Sequence, residues 1–286
     1  GLPPLTIVDV VEGLKALGVQ QGMNLLVHSS LSSLGFVCGG SASLVLALLQ
    51  ALGIPLSGVP GIMPEMEGDQ GTLVMPSFSA EYSNPEYWQR PPVPISWIEV
   101  IEKHWPAFHP AITPTRGIGK VPETFRTFPG VVRSNHPVTS FAAIGNHAEE
   151  LVKDHPLHSQ LGKESPLGKL YSLGAYVLLI GVDHDKNTSL HLAQYMHHER
   201  TNTPSLNEIE ECSPILVNQK REYITYRTLD VDTDSFIEIG TEFKEYCITE
   251  GKAEWYSERQ IGLAQVSLIY QPALVDFALQ WMKRST

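Results

Sequence analysis

Residues Val177–Tyr195 read VLLIGVDHDKNTSLHLAQY, an apolar run that passes through a polar turn into a helix carrying a histidine. Val177–Val182 has the length and unbroken apolar character of a buried strand. Gly181 permits a tight turn, and Asn187 or Thr188 is suited to cap the first free amides of the helix that follows. With Asn187 as cap, His191 falls about one turn into that helix, where the positive end of the dipole disfavours imidazolium. A neutral imidazole at the mouth of a sheet is suited to general-base work near neutral pH. A surface histidine on an amphipathic helix has the same spacing, so this segment alone leaves both readings open.

Outward from this segment the chain alternates helix and strand. Thr6 is placed to cap a helix ending at Leu17, with Ile7, Val10, Val11, Leu14 and Leu17 on one face and Gly18 as its stop. Asn24–His28 reads as a buried strand, and the polar loop His28–Gly40 leads to Ser41, a cap for the apolar helix Ala42–Leu52. Thr72–Met75 and Ala142–Gly145 supply further strands. The expected fold is α/β, a mixed, largely layered sheet with helices on its faces. The last third alternates less regularly and predicts an appended α+β portion. In it Glu222–Thr228 reads as a half-buried strand, Ile261–Tyr270 as a last strand, and Pro272 opens a helix ending near Lys283 and Arg284.

Residues 1–286 read as one domain without internal repeats. Two excursions interrupt it. Gly53–Gly71 predicts an exposed loop with acidic Glu65, Glu67 and Asp69. Ser83–Pro122, rich in proline and carrying Trp88, Trp97, Trp105 and Phe108, predicts an irregular segment serving as a ligand lid or a cover for the sheet edge.

A hydrophobic content of 42% with 18% charged residues fits a soluble protein with a substantial core. No run approaches the ~18 apolar residues of a membrane span, and Gly1–Thr6 lacks the basic and apolar regions of a signal peptide. Cys38, Cys212 and Cys247 are sparse and unpaired in spacing, which points to a reducing, cytoplasmic compartment and away from a cysteine metal site. Cys38 has no evident base to make it a nucleophile. The net charge of −11 argues against nucleic acid as partner and is compatible with a cationic small molecule.

Four segments occur in order: LLVHSSLSSLG (Leu25–Gly35), GTLVMPSFS (Gly71–Ser79), PGVVRSNHPVTSFAAIG (Pro129–Gly145) and SPLGKLYSLGAYVLLIGVDHDKNTSLHLAQY (Ser165–Tyr195). Together they resemble the antibiotic N-acetyltransferases of the aminoglycoside 3-N-acetyltransferase family, from about Val8 to about Phe243. The resemblance implies acetyl-coenzyme A as donor, an aminoglycoside-like amine as acceptor, and antibiotic resistance as the consequence.

The loop Ser29–Gly40 sets hydroxyls and glycines before a helix start, a natural anion site, although it contains neither GK[ST] nor GxGxxG. On its own it does not decide for phosphate. The resemblance assigns coenzyme A to this region, with His28, Ser29, Ser30, Ser32, Ser33, Leu34 and Gly35 as candidate contacts, joined by Ser140 and Phe141 from SNHPVTSF. His184, His191, His197 and His198 match no compact metal motif, so no metal is expected. Without a GxSxG elbow a serine hydrolase is disfavoured.

The expected catalytic set is His191 as base, Thr188 polarising the thioester oxygen, and Gln194 beside the histidine. Carboxylates that orient the imidazole or receive the amine are sought among Asp183, Asp185, Asp232 and Glu238, within a wider acidic run that includes Asp230 and Asp234. One departure stands out. The family pattern HLAE here reads His191-Leu192-Ala193-Gln194, and glutamine hydrogen-bonds but neither neutralises an ammonium nor accepts a proton near neutral pH. Two alternatives follow: an acyltransferase for another small amine, or a weakly active coenzyme A-binding relative.

Overall fold

In the computed structural model, which describes residues 3–56, 59–64, 68–89, 91–200 and 206–285, Thr6 opens α1 (Ile7–Leu17) with a capping box. Its hydroxyl accepts from the Asp9 amide at 3.2 Å while the Asp9 carboxylate accepts from the Thr6 amide at 2.8 Å. Val10, Val11, Leu14 and Leu17 turn inward as their spacing predicts.

The strand β1 (Asn24–Ser29) is central and alternates, Leu25 and Val27 facing one core and Leu26 the other. It pairs in parallel with β2 (Thr72–Pro76) and β5 (Tyr176–Ile180). Antiparallel β3 (Val132–Arg133), β4 (Phe141–Gly145), β8 (Tyr256–Ile261) and β9 (Ala264–Tyr270) complete a seven-stranded sheet ordered β3-β4-β2-β1-β5-β9-β8. A separate antiparallel ribbon is formed by β6 (Glu208–Val217) and β7 (Lys220–Leu229). The fold is therefore α/β with a mixed sheet, as expected.

One face of the sheet packs on α1, α2 (Gly40–Ala51) and α4 (Lys120–Phe125), the other on α5 (Ala148–Val152), α6 (Pro166–Ser172), α7 (Ser189–Arg200), α8 (Phe236–Thr249) and α9 (Gln271–Ser285). The remaining helix, α3 (Ile95–His104), lies in the 83–122 excursion and buries none of its residues. Because β1 is followed by α2 on one face while β5 is reached through α5 and α6 on the other, the strand order reverses at β1. The crevice at the carboxyl ends of β1 and β5 is thus a topological switch point, where ligands enter open α/β sheets. Among the described residues no helix is long and apolar enough to cross a membrane.

Two sequence expectations are corrected. Ile261–Tyr270 is not a single strand: the two-residue turn Gly262–Leu263 folds it into the end of β8 and the whole of β9. Ser41 does not cap α2. The helix begins two residues earlier, at Gly40 behind Gly39, whose φ of 78° favours glycine, and the Ser41 hydroxyl instead meets Thr124 Oγ1 at 2.8 Å. Of the acidic patch expected in Gly53–Gly71, Glu65 and Glu67 lie outside the described residues.

The excursion is tied down at both ends. Ser213 Oγ donates to the Tyr82 carbonyl at 2.6 Å, and the Phe108 amide donates to Pro214, which fixes the segment to the ribbon. On the sheet side, Arg133 of β3 donates to the carbonyls of Ser77, Pro110 and Thr113 and to the hydroxyls of Ser79 and Ser140, with Phe108 beneath its plane at 5.1 Å. One guanidinium thereby joins residues 108–113 to the ends of β2 and β4.

Candidate active site

At the carboxyl ends of β1, β2 and β5 lies a cavity of about 800 Å³. Its walls come from four stretches: 27–40 from the end of β1 onward, Pro76 and Phe78 at the end of β2, 117–122 at the end of the excursion, and 182–191 after β5. Leu31, Phe36, Phe78 and Ile118 give it apolar walls, and His28, Thr188 and His191 supply polar groups beside one another.

The turn that delivers His191 depends on Gly181, whose φ of 60° suits glycine and whose missing Cβ leaves room for the Ser33 side chain. Asn187 then caps α7, its Oδ1 accepting from the Ser189 amide at 3.1 Å, so His191 is the third residue of the helix. With Asn187 serving as cap, the Thr188 hydroxyl is free for another partner and lies 3.2 Å from His28 Nε2.

His191 is half-buried against the Phe236 ring, 4.8 Å away. Its Nδ1 is 2.8 Å from Gln194 Oε1, and Gln194 Nε2 donates to the Asp232 carbonyl at 3.0 Å. The Asp232 carbonyl only accepts, which fixes the amide with its oxygen toward the histidine. Nδ1 therefore carries the proton and Nε2 keeps its lone pair. Burial pulls the His191 pKa below its ordinary 6.5; the Gln194 bond and the Asp232 charge work the other way. His28 is buried more deeply, and desolvation together with the nearby His191 pushes it down to about 3. Both rings are neutral at physiological pH. The site thus offers one aligned proton acceptor, a hydroxyl beside it, and a roomy apolar chamber.

Of the residues expected to contact coenzyme A, His28, Ser29, Ser30, Ser32 and Gly35 line the cavity, and the Ser29 hydroxyl is buried there without a protein partner. The others do not line it. Leu34 is core, and Ser33 donates to the Ser30 carbonyl at 2.6 Å and faces a separate cavity. Ser140 is corrected to a structural residue: its hydroxyl sits between Arg133 Nε and the Ser77 carbonyl, 2.9 and 2.8 Å away. Phe141 is buried edge-on against Phe78.

The acidic candidates also separate. Asp185 lines the cavity but pairs with Lys186 at 2.6 Å. Asp183 spends one oxygen on the His184 amide at 2.6 Å and faces the second cavity. Asp232 is exposed and reaches His191 through Gln194 and through its charge. Glu238 is exposed on α8 and lines neither cavity. Sequence reasoning missed Phe36, Phe78, Lys120 and Lys186; only the glycine-bracketed turn Gly117-Ile118-Gly119 hinted at a wall beyond the motifs.

A family model described as Aminoglycoside 3-N-acetyltransferase matches residues 58–283. The chain is 40% identical over 280 residues to the SPbeta prophage-derived aminoglycoside N(3')-acetyltransferase-like protein YokD of Bacillus subtilis (strain 168), covering 97% of this chain and 92% of that protein. The crystal structure of YokD matches with a TM-score of 0.86 at 39% identity, over 98% of this chain and 94% of that one. Two other solved structures, AAC-VIa bound to sisomicin and AAC-IIIb binary with CoASH, have TM-scores of 0.81 and 0.80 at 26% identity, each spanning 99% of this chain and 99% and 98% of their own. With that model matched over most of its length and a 40%-identical relative aligned over nearly all of it, the chain belongs to the aminoglycoside 3-N-acetyltransferase family of acetyl-transferring enzymes.

Proposed function

We propose that the protein transfers the acetyl group of acetyl-coenzyme A to an amino group of an aminoglycoside, with His191 as general base. The observation that carries this reading is the His191 imidazole, its Nδ1–H held by Gln194 and its Nε2 lone pair free, on the wall of a large cavity at the sheet's switch point. The relatives solved with CoASH and with sisomicin support the donor and the acceptor.

In this mechanism the acceptor nitrogen attacks the thioester carbonyl while His191 Nε2 takes its proton. The C–S bond then breaks, and the departing thiolate receives that proton from the imidazolium. The base returns neutral, the products are the amide and the free thiol, and no covalent enzyme intermediate is needed. Thr188, beside His28, donates toward the thioester oxygen as negative charge develops there. Metal and serine nucleophile play no part in the scheme. The cytoplasm, where acetyl-coenzyme A is made and consumed, is the compartment this activity implies.

Thiol release from acetyl-coenzyme A, measured with a panel of aminoglycosides and simple amines, tests the reading. Turnover with an aminoglycoside supports it, and a protein that hydrolyses or ignores the thioester with every amine refutes it. A second reading, a less cationic amine as acceptor, is favoured by Gln194 in place of a carboxylate and by a cavity whose one acid, Asp185, is already paired. Turnover confined to the simple amines selects it.

Gln194 also sets the working pH. A carboxylate at that position would favour imidazolium, raising the His191 pKa by about 1 unit or more. The acid limb of kcat/KM in Gln194→Glu therefore moves to higher pH than in the wild type, whose buried His191 stays unprotonated below its ordinary 6.5. A pH–rate profile of both proteins checks the sign.

A further inference from the structure

A second cavity, of about 590 Å³, lies between α8 and the β8–β9 hairpin, and among the described residues only Val182 borders both it and the first. The sheet face beneath α8 changes character here. Along β9 the face that buries Ile269 continues as Ser267 and Gln265, and along β8 Tyr256 is followed on the same face by Glu258. On α8, Phe236, Ile239 and Phe243 enter the core, while Gly240 and Lys244 border the cavity. A helix–sheet interface is ordinarily filled with aliphatic side chains. This part of it is open and polar.

Most of the charge inside is already paired. Lys244 meets Glu258 at 2.8 Å, and the Tyr256 hydroxyl donates to Glu258 at 2.9 Å. Two groups are left over. His184 is only 6% exposed, and its ring has room because Gly240 lacks a Cβ that would run into it. Asn187 decides which ring nitrogen holds the hydrogen. Its Oδ1 accepts from the Ser189 amide, so Nδ2 is the atom turned to His184 Nδ1, 3.4 Å away. Burial lowers the His184 pKa below its ordinary 6.5 and keeps the ring neutral. Nδ1 therefore accepts and Nε2 carries the hydrogen. Among the described residues that N–H has no protein partner, and His184 borders the cavity. Asp183, beside it, gives Oδ1 to the His184 amide at 2.6 Å and leaves Oδ2 open to the same space. A buried donor without a partner is costly, so the pair is poised for an outside ligand.

We propose that this second cavity binds a neutral, hydroxyl-bearing ring, a sugar or cyclitol, through the His184 Nε2–H and the open oxygen of Asp183. A hydroxyl accepts from the imidazole and donates to the carboxylate at once, which matches a donor and an acceptor set side by side. An ammonium only donates and would be set against the His184 N–H and Lys244. A carboxylate or phosphate dianion only accepts and would be set against Asp183 and Glu258. Leu179 and Ala264 supply an apolar surface for the ring face, and the volume lies within the ~300–1,000 Å³ of small-molecule sites.

An NMR titration, followed on the histidine side-chain resonances, tests the assignment. The probes are glucose, galactose, mannose and myo-inositol, with inorganic phosphate and spermidine as the charged alternatives. Asp183→Asn keeps the oxygen that receives the His184 amide but places an NH₂ where the open oxygen stood. Ser267→Leu fills the cavity from β9. Thermal melting of both variants checks that they fold. At least one neutral ring saturates the wild type, Asp183→Asn weakens it by roughly tenfold or more, and Ser267→Leu abolishes it. The assignment is overturned when no neutral ring saturates the wild type, or when both folded variants bind it as the wild type does. Saturation by phosphate or spermidine alone overturns it as well.

Discussion

His191→Ala lowers kcat by about 10²–10⁴-fold, the usual span for losing a positioned base. The size of the effect follows from how completely the residue is set up. Gln194 holds Nδ1–H at 2.8 Å, the Asp232 carbonyl holds Gln194, and the Phe236 ring backs the imidazole at 4.8 Å, so the lone pair on Nε2 has one direction to face. Nothing else at that end of the cavity can take its place. His28 also lines that end, but its pKa of about 3 makes it a far weaker proton acceptor. Donor affinity changes little, because the loop after β1 that lines the chamber does not depend on His191. The variant also loses the acid limb of the pH–rate profile, a signature that separates loss of a base from local misfolding. A kcat within threefold of the wild type would remove His191 from the mechanism.

Acidification unfolds the protein between about pH 4 and 6. Three of the buried histidines, His28, His136 and His155, are held neutral. Desolvation is the first cause in each, lowering His28 to about 3, His155 to about 4, and His136 well below its ordinary value. His136 and His155 also stack on each other, ring centres 4.7 Å apart, and His155 further disfavours charge on His136. The His155 nitrogens are committed to the Ser134 hydroxyl at 2.9 Å and the Gln160 carbonyl at 2.7 Å. A histidine whose folded pKa is depressed binds its proton more readily in the unfolded chain. The stability it supplies is complete above 6.5 and is lost as pH falls through the window down to the folded value. At pH 4 the loss is about 3 kcal/mol each from His28 and His155, at ~1.4 kcal/mol per unit. Together these approach a typical total stability of about 5–15 kcal/mol. Far-UV circular dichroism against pH measures the midpoint, and a fold intact at pH 3.5 contradicts the account.

Local periodicity makes much of the scaffold legible in the sequence. The inward stripe of α1, the apolar run of β1 and the passage from β5 through Asn187 into α7 are all written in neighbouring residues, and the histidine they position is legible with them. The parts that are not legible depend on distant partners. Ile261–Tyr270 reads as one strand because Ile261 continues the inward alternation of Ala264, Val266 and Leu268, and only Gly262 marks the reversal. The apolar stripe Phe236, Ile239, Phe243 and Cys247 of α8 is masked by acids on its solvent side. Ser140 resembles a site hydroxyl in sequence, but Arg133 claims it, and no spacing rule links Arg133 to the carbonyls of Pro110 and Thr113 that it also binds. The 117–122 wall is missed for the same reason: it is brought to the cavity by tertiary closure.

That the cavity is assembled from residues 27–40, 76–78, 117–122 and 182–191 ties ligand binding to the completion of folding. Stretches separated by tens of residues meet only after the costly long-range closures have been made. A nascent chain that has not yet formed β5 and α7 has no chamber at all, and a partly opened molecule loses it at once. A ligand seated there binds the finished molecule alone, and so shifts the folding equilibrium toward it by mass action. The donor is then as much a quality gauge as a substrate, because in a cell rich in it the intact protein is the form it preserves.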